Sequence, residues 1–467
     1  MISVAAGSKR LASMARKVGD GLSRVFQHRM PAHDVSRRFE EAEAQYRSAN
    51  AELAIQYFYE FLNAHPEDVA TLERLALVYA ELVGDIEECL RLRRYARRLR
   101  QGRRARTGIS PCRLLSSDWA SEIGRIASIG TLIERELLAG RDPKNILLDI
   151  SGQPPANSTL LDKIGAYITI ATRNEQLPCS RDELSFALED DMLWESVDGL
   201  TKHWWHASSE VARAWETARH APLLSLTERE ITKGSDCVRQ LGIPDGAWFV
   251  CLQATEGSGQ AFHIYEPAVR AITERGGWVI TLDDAPAVQS RSLAQTVHYG
   301  KSSLRSDWLD IFLLARCRFF AGTSSGLSSV PPLFGTPRVL VNCAPGGKRP
   351  FHGSDIYLPL LYQAGTLPHP LSFAEIMAPP IGYASRYVHA QSIGLTPVPN
   401  SAEDVLAAVT EMLDRLDGKL SYSGDDEILQ SAFDAVAETN VCIGNARIGR
   451  AFLRRHSNLL WSGQPAP

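Results

Sequence analysis

One short turn in the sequence combines the residue types that bind anions. It comprises Thr323, Ser324, Ser325 and Gly326. The apolar residues before this turn predict a strand that ends at Gly322, and those after it predict a helix that begins near Leu327. Unpaired N–H groups at a helix N-terminus, together with hydroxyl groups, form a seat for an anion such as a pyrophosphate. The same serines could instead do no more than cap the helix, which is very common.

Two residues in an earlier loop are candidates for proton transfer. Glu256 and His263 follow the predicted strand "AWFVCLQA", at the edge of the sheet where folds of this kind bind their ligands. A carboxylate or an imidazole at this edge could take the proton of an attacking hydroxyl group. Both side chains could equally be solvated loop residues, and that alternative stays open.

Histidines and tryptophans cluster around the segment "KHWWH". His203 and His206 could suggest a metal ligand or a base, but we favour packing among the neighbouring aromatic rings. The aromatic patch comprises Trp194, Trp204, Trp205 and Trp215. We interpret these rings as anchors between helices rather than as a binding groove. No metal site is predicted, because the eight cysteines are scattered and form no Cys-x-x-Cys pair or Cys/His cluster.

Alternating strand and helix patterns predict the fold that positions these residues. From about residue 110, short apolar runs such as "NILLDI", "WVITLDD" and "TPRVLVN" alternate with amphipathic stretches. This order predicts an α/β fold with two lobes of doubly wound parallel sheet, preceded by a small all-helical region. The predicted divisions are a basic tail (1–38), a helical region (39–108), an N-terminal α/β lobe (109–240), a C-terminal α/β lobe (241–400) and C-terminal helices (401–467).

The predicted helical region resembles tetratricopeptide repeats. Its apolar residues recur at helical spacing, and two sets of positions fit successive repeats in register. These positions are Ala54, Phe58, Phe61 and Pro66 in one repeat, and Leu75, Ala76, Tyr79 and Leu92 in the next. About one and a half repeats fit the pattern, and a plain helical hairpin is the alternative. Either arrangement indicates packing or contact with a protein partner rather than chemistry.

The overall composition excludes several classes of protein. The chain has 467 residues, of which 44% are hydrophobic, and a net charge of -4, which suits a soluble protein of two or three domains. So acidic a chain is not expected to bind nucleic acid. We interpret the run "RLRRYARRLRQGRRAR" as a solvated helix end, with contact to nucleic acid or an anionic membrane as the alternative.

The apolar runs and the basic tail bear on membrane association. No run of about 18 apolar residues predicts a transmembrane helix. The basic tail is either a frayed end or a helix on a membrane surface. We therefore expect a cytoplasmic protein, and the alternative is a cytoplasmic protein that binds peripherally to the inner face of the membrane.

The central segment resembles a known family of enzymes. "SDWLDIFLLARCRFFAGTSSGLSSVPPLFGTPRVLVN", preceded by "HYGKSSLR", is similar to a family of bacterial glycosyltransferases that often carry tetratricopeptide-like N-terminal helices. That family is remotely related to fucosyltransferases of the GT-B fold. The resemblance covers about residues 110–455 and is most specific in this segment. It implies that turn 323–326 holds the phosphates of a nucleotide-sugar donor, with Arg305, Asp307 and Asp310 nearby.

Three basic positions of the family pattern are altered in this chain. Gln253 and Thr255 replace the usual His-x-Arg, residues 281–284 replace an Arg-x-Gly-Asp, and the family's "IGH" ends here in Arg125. In the relatives, the missing arginine faces the diphosphate and would stabilise the leaving group. Arg125 adds a cation in the first lobe, and Lys301 or Arg305 could also reach the phosphates.

The resemblance implies an inverting, metal-independent glycosyltransferase. Its co-substrate would be a nucleotide-sugar, with no other cofactor, and its acceptor would be a glycan, a lipid or a protein. The altered motifs leave a second hypothesis open. In that hypothesis the chain is a catalytically impaired scaffold that binds a ligand, or a partner through its tetratricopeptide-like helices, without turnover.

Overall fold

The computed structural model describes most of the chain. The described residues are 32–107, 113–150, 154–171, 193–198, 201–254, 262–283, 293–344, 349–365, 369–378, 380–383, 394–439 and 444–460. Most of the basic tail and the catalytic candidate Glu256 lie outside these ranges. None of the described helices is long and apolar enough to cross a bilayer.

The first described part of the chain is all-helical. Its helices are α1 (Ala32–Arg47), α2 (Ala51–Ala64), α3 (Val69–Val78) and α4 (Ile86–Thr107), with a π-helical turn at Tyr79–Val83. Asn50 and Asp68 cap α2 and α3 by accepting hydrogen bonds from backbone N–H groups. The apolar faces of these helices enclose a core of their own, around Ala54, Phe58 and Leu75. The π-helical turn contacts the second lobe at Ile381–Tyr383.

The first α/β lobe contains a small parallel sheet. Its strands are β1 (Arg113–Leu115), β2 (Ile146–Asp149) and β3 (Thr169–Ala171), paired in the order β1-β2-β3. Within the described part of this lobe, three α-helices accompany the sheet: α5 (Ile123–Leu138), α6 (Ser158–Gly165) and α7 (Trp204–Thr217). A two-stranded antiparallel ladder, β4 (Leu193–Glu195) with β5 (Thr201–His203), precedes α7. The pattern over 182–241 predicts mostly helix, so this ladder is a difference from that expectation.

The second lobe is built on a larger parallel sheet. In chain order its strands are β6 (Phe249–Gln253), β7 (Trp278–Thr281), β8 (Thr296–His298), β9 (Phe320–Thr323), β10 (Arg338–Cys343), β11 (Ile356–Pro359) and β14 (Arg447–Ile448). A separate antiparallel pair is formed by β12 (Leu361–Ala364) and β13 (Leu395–Val398). The flanking helices are α8 (Glu228–Gln240), α9 (Glu266–Glu274), α10 (Asp307–Arg316), α11 (Phe373–Met377), α12 (Ala402–Leu416), α13 (Gly424–Thr439) and α14 (Arg450–Arg455).

The order of strands in this sheet is that of a doubly wound fold. The strands lie side by side as β14-β11-β10-β9-β6-β7-β8, and every neighbouring pair is parallel. The chain first moves outward from β6 to β8 and then returns to β9, on the other side of β6. Right-handed crossovers on either side of this reversal place helices on opposite faces of the sheet. The two parallel sheets confirm the predicted α/β fold class, with an all-helical region before the lobes.

Burial explains why these segments form strands. The central strands β6 and β10 are buried along their whole length, as expected of short apolar runs covered on both faces. Side chains of both lobes join one continuous apolar core, which runs from Leu115 and Ile126 to Phe320 and Phe452. The two lobes are therefore packed against each other through side chains and not merely tethered by the chain.

Candidate functional site at the junction of the lobes

The reversal of strand order places a crevice at one edge of the second-lobe sheet. Strands β6 and β9 are neighbours, with Gln253 paired to Gly322, and both strands end at this edge. In open parallel sheets, ligands bind outside the carboxyl ends of the strands at such a reversal. The hydroxyl-rich turn 323–326 therefore begins where the fold itself favours a binding site.

The turn has one inward-facing and one outward-facing serine. The Ser325 hydroxyl donates a hydrogen bond to Oε1 of Gln253, which joins the ends of β9 and β6. The Ser325 N–H donates to Oγ of Ser328 over 3.0 Å, and the Ser328 N–H donates back to Oγ of Ser325 over 3.3 Å. Ser324 is exposed, whereas Thr323 and Ser325 are half-buried. Ser324 is thus the hydroxyl of this turn that is most available to a ligand.

The helix predicted to follow the turn is not an α-helix. Two short 3-10 turns stand there, Leu327–Ser329 and Pro331–Phe334. Pro331 and Pro332 lack the N–H groups that an α-helix would need at those positions, and their rings crowd the preceding turn. The prediction of a helix at "LSSVPPLFG" is therefore wrong, and the turn has no long helix dipole behind it.

The first lobe meets the turn through two glycines. A Cβ added to Gly124, at the start of α5, would lie 2.9 Å from Cα of Gly326. A Cβ added to Gly326 would lie 3.0 Å from Cγ2 of Ile123 and 3.2 Å from the nitrogen of Gly124. The absence of both side chains allows the backbones of the two lobes to approach closely at the turn.

The first-lobe cation candidate lies beside this contact. Arg125 follows Gly124 in α5, and its side chain is 43% exposed. Its Nε is 3.9 Å from Oε2 of Glu122, a distance that holds the guanidinium only loosely. Arg125 therefore keeps freedom to turn toward a ligand at the junction.

The three candidate donor contacts that precede the turn, Arg305, Asp307 and Asp310, all bond to other groups of the protein. Arg305 is exposed, and its Nη1 donates to the carbonyl of Gly300 over 3.1 Å. Asp310 accepts a hydrogen bond of 2.7 Å from the hydroxyl of Tyr299, and burial raises its pKa. Asp307 accepts hydrogen bonds from the N–H and hydroxyl of Ser158 over 3.0 and 3.2 Å. Asp307 therefore links α10 to the start of α6, in the other lobe.

The end of β6, where the altered His-x-Arg motif lies, bonds to an acidic side chain, that of Asp283. The backbone N–H of Ala254 donates to the carboxylate of Asp283, and the Gln253 side chain also bonds to that carboxylate. Burial raises the pKa of Asp283, and these hydrogen bonds and Arg305 oppose that rise. His263, the other catalytic candidate, is exposed in the 3-10 turn Phe262–Tyr265.

A cavity of about 140 Å³ lies between the lobes beside the turn. Its walls come from α5 and α7 of the first lobe and from the 3-10 turns, β10 and segment 350–352 of the second. Among the lining residues are Glu134, Trp204, Trp205, Ser324, Ser328 and His352. Ser324 is the one predicted donor residue among those that line it.

Glu134 is the functional candidate that the sequence analysis did not identify. Its side chain is 6% exposed, and burial raises its pKa to about 7. Electrostatic attraction to His352 opposes this rise, whereas repulsion from Glu216 adds to it. A buried carboxyl group whose pKa lies near neutrality is typical of functional sites. Its spacing from Ala127 and Thr131, which also line the cavity, is that of one helix face and was the available signal.

Replacement of Glu134 by glutamine is expected to change how stability depends on pH. Because the pKa of Glu134 is raised in the folded state, its contribution to stability is full below its ordinary pKa of 4.5 and is lost as pH rises through about 7. Each pKa unit is worth about 1.4 kcal/mol, so the variant should be more stable than the wild type by roughly 3 kcal/mol at pH 8.

Urea denaturation of both proteins at pH 5 and pH 8 measures this difference. Other carboxyl groups also titrate over this interval, so the quantity that matters is the difference between the variant and the wild type. An equal change in the free energy of unfolding for both proteins between the two pH values would contradict a raised pKa at Glu134.

Comparison with known proteins finds similarity to solved structures but not to the sequences of curated proteins. The sequence matches no protein-family model and no curated protein. Glycosyl transferase family 9 from Veillonella parvula is similar at 11% identity and a TM-score of 0.39, over 66% of this chain and 98% of that one. The iron-containing dodecameric glycosyltransferase TibC from enterotoxigenic E. coli is similar at 13% identity and a TM-score of 0.34, over 66% and 76%. The Thermobaculum terrenum O-GlcNAc transferase is similar at 12% identity and a TM-score of 0.23, over 71% and 54%.

All three neighbours are named as glycosyltransferases. Because these identities and TM-scores are low, we infer the function from the geometry of the junction and not from the neighbours. Among the described residues, no group of three or more His, Cys, Asp and Glu side chains is placed to hold a metal ion.

Proposed function

We propose that this protein is a GT-B-like glycosyltransferase that takes a sugar from a nucleotide-sugar donor. The observation that carries the proposal is the position of turn 323–326. It stands at the strand-order reversal between β6 and β9 and touches the first lobe at Gly124. A ligand bound at this edge would contact both lobes, as transfer between a donor and an acceptor requires.

The donor phosphates would rest against the outer side of the turn. Ser324 is exposed and can donate its hydroxyl hydrogen to a phosphate oxygen, and Thr323 and the N–H of Gly326 are the neighbouring donors. Ser325 would act indirectly, because its hydroxyl is used to hold Gln253. Arg125, Arg305 and Lys301 are exposed or half-exposed cations that would offset the phosphate charge.

The proposed reaction inverts the configuration at the anomeric carbon and uses no metal ion. An acceptor oxygen attacks C1 of the sugar as the bond from C1 to the phosphate oxygen breaks. The acceptor proton passes to a base, and the nucleoside diphosphate leaves with the electron pair of the broken bond. The acceptor is a glycan, a lipid or a protein, and the helical region offers a surface for a protein partner.

Replacement of Ser324 by alanine is expected to weaken nucleotide binding. Removal of one hydrogen bond to a charged phosphate costs about 1.5–3 kcal/mol, which corresponds to roughly a 10- to 100-fold loss of affinity. Calorimetric titration with UDP and GDP measures this loss. Because Ser324 is exposed, stability should be unchanged. Ser421→Ala, at an exposed site in the C-terminal part of the chain, is the matched control. Equal affinity in the Ser324→Ala variant and the wild type would remove the turn from the donor site.

Binding without turnover is a second candidate function, favoured by Asp283. Its half-buried carboxylate bonds to Ala254 and Gln253, at the position where the related family has a cation. A negative charge there would repel a departing diphosphate instead of stabilising it. Nucleotide binding without hydrolysis of any nucleotide-sugar would support this function, and release of nucleoside diphosphate would support transfer.

A further inference from the structure

Three aromatic side chains cluster on one wall of the cavity between the lobes. Trp204 and Trp205 begin α7 of the first lobe, and Phe351 belongs to the second lobe. The ring centroids of Trp204 and Trp205 lie 4.8 Å apart at an interplanar angle of 81°, and those of Trp205 and Phe351 lie 4.4 Å apart at 56°. All three residues line the cavity. Inclined rings around one space are typical of the aromatic cages that bind organic cations.

Glu134 brings a negative charge to the same cavity. It lines the cavity from α5, and only 6% of the residue is exposed. It makes no hydrogen bond or ion pair with any residue that the structure describes, although it senses the charges of His352 and Glu216. A buried carboxylate without such partners is costly, so a ligand that carries a positive charge would stabilise its ionised form.

The other charged groups that line the cavity face acidic partners. The guanidinium of Arg338 donates to the carboxylate of Asp355 over 3.1 Å. Nδ1 of His352 lies 3.4 Å from Oε1 of Glu216. Within the described lining of the cavity, the charge of Glu134 is thus the one without an ion-pair partner. A cation would complement this charge, whereas an anion would be repelled by it.

We propose that this cavity binds an organic cation, with an ammonium group held between the aromatic rings and the Glu134 carboxylate. The rings attract a cation through their π faces, and the carboxylate attracts it through its full charge. Both attractions are stronger in a partly enclosed site than in open water, because less solvent screens them. A neutral ligand of the same shape would gain only the apolar contacts, so the site should select for charge.

The position of the cavity indicates what the bound group would do. Ser324 lines the cavity and is also the exposed hydroxyl of turn 323–326. A molecule that carries an ammonium group would therefore be held beside the proposed donor, in the place of an acceptor. This role rests on the proposed function, whereas binding of a free cation does not depend on it.

Ligand-observed NMR with the full chain at pH 8 tests the site. The probes are choline, ethanolamine and the neutral alcohol in which a carbon atom replaces the nitrogen of choline. We expect at least one of the two cations to bind, and the neutral alcohol to bind roughly tenfold more weakly than choline or not at all. If neither cation binds, or if the neutral alcohol binds as tightly as choline, the proposal is wrong.

The affinity for the cation should fall about tenfold between pH 8 and pH 6. Choline is the sharper probe, because its own charge does not change with pH. Burial raises the pKa of Glu134 to about 7, so the carboxylate is mostly ionised at pH 8 and mostly protonated at pH 6. Protonation of His352 at lower pH would repel the cation and act in the same direction. Equal affinity at both pH values would contradict a charged partner in the cavity.

Substitutions assign the binding to the named residues. Glu134→Gln keeps the shape of the side chain and should weaken cation binding about tenfold at pH 8, with most of the pH dependence lost. Trp205→Leu should weaken binding about fivefold, and Trp205→Phe, which keeps an aromatic ring, should weaken it less. Glu274→Gln, an exposed change at the end of α9, should retain wild-type affinity and pH dependence. Unchanged affinity in Glu134→Gln would overturn the proposal.

A parallel titration with UDP and GDP separates this site from the proposed function. Cation binding without nucleotide binding would leave the cavity proposal standing and refute the donor site. Nucleotide binding at turn 323–326 without cation binding would refute the cavity proposal and leave the donor site standing.

Discussion

Replacement of Asp355 by alanine is expected to lower the free energy of unfolding by about 3–5 kcal/mol. Asp355 is fully buried and accepts hydrogen bonds from the backbone N–H of Arg338 over 2.8 Å and from its Nε over 3.1 Å. Its removal would leave a nearly buried guanidinium without a counter-charge, and this accounts for the size of the loss. Urea denaturation at neutral pH measures it.

The same substitution is expected to disturb the candidate site. Nη1 of Arg338 donates to the carbonyl of Ser328 over 2.7 Å, and Ser328 in turn bonds to Ser325 of the turn. Asp236→Ala is a suitable control, because Asp236 pairs with Arg239 on the surface, where such pairs are worth about 0–1 kcal/mol. If the Asp355 and Asp236 variants lost equal stability, the buried pair would not be an important support of the second lobe.

Replacement of Gly124 by alanine is expected to weaken nucleotide binding about tenfold or more. The new Cβ would lie 2.9 Å from Cα of Gly326, and the obstacle is backbone, which cannot turn aside as a side chain can. The turn or the first lobe must shift, at a cost of about 1–3 kcal/mol in stability. A cost of about 1.4 kcal/mol in binding free energy corresponds to a tenfold loss of affinity. Calorimetric titration with UDP and GDP measures the affinity, and urea denaturation measures the stability.

Two further glycines provide the comparison. Gly326→Ala places its Cβ 3.0 Å from Cγ2 of Ile123 and 3.2 Å from the backbone nitrogen of Gly124, and both contacts are longer than the 2.9 Å contact of the Gly124 variant, so a smaller loss is expected. Gly102→Ala adds a Cβ that meets no atom within 4 Å in helix α4, so affinity should not change. Wild-type affinity in the Gly124 variant would show that the close contact of the lobes does not position the donor turn.

Local sequence patterns were sufficient to predict four of the seven strands in the second-lobe sheet, but not β8, β11 or β14. Short apolar runs form the strands β6, β7, β9 and β10, because a strand covered on both faces leaves little room for polar residues. The alternation of these runs with helices fixes parallel pairing through right-handed crossovers. Strand and helix were therefore predictable wherever the local pattern and the tertiary environment agreed.

One local feature differs from the expectation for an identifiable reason. The segment after turn 323–326 is expected to be helical, but Pro331 and Pro332 restrict it to 3-10 turns. The aromatic patch does pack ring against ring, with the centroids of Trp194 and Trp204 5.9 Å apart and those of Trp204 and Trp205 4.8 Å apart. Trp204 and Trp205 also line the cavity, and Trp194 lies in the ladder of β4 and β5 rather than in a helix.

The chemistry of the junction could not be predicted because it depends on tertiary burial. Glu134 lies in a helix beside Glu136, which forms ion pairs with Arg135 and Arg141. Helical spacing places Glu134 on one face with Ala127 and Thr131, but it does not show that this face is buried against the other lobe. Only the assembled lobes place Glu134 beside a cavity, without a hydrogen-bond partner among the residues that the structure describes. The residue predictions at turn 323–326 stay predictions until ligand binding is measured.

Among the residues that the structure describes, the helical region and the lobes have separate apolar cores that share no residue. A substitution inside the helices, such as one at Phe58, thus opens no void beneath the sheets. Substitutions can therefore accumulate in the helical region, or the whole region can be replaced during evolution, while the packing of the lobes is preserved. Divergence between homologues should be unequal, with the surface of the helices changing faster than the junction of the lobes.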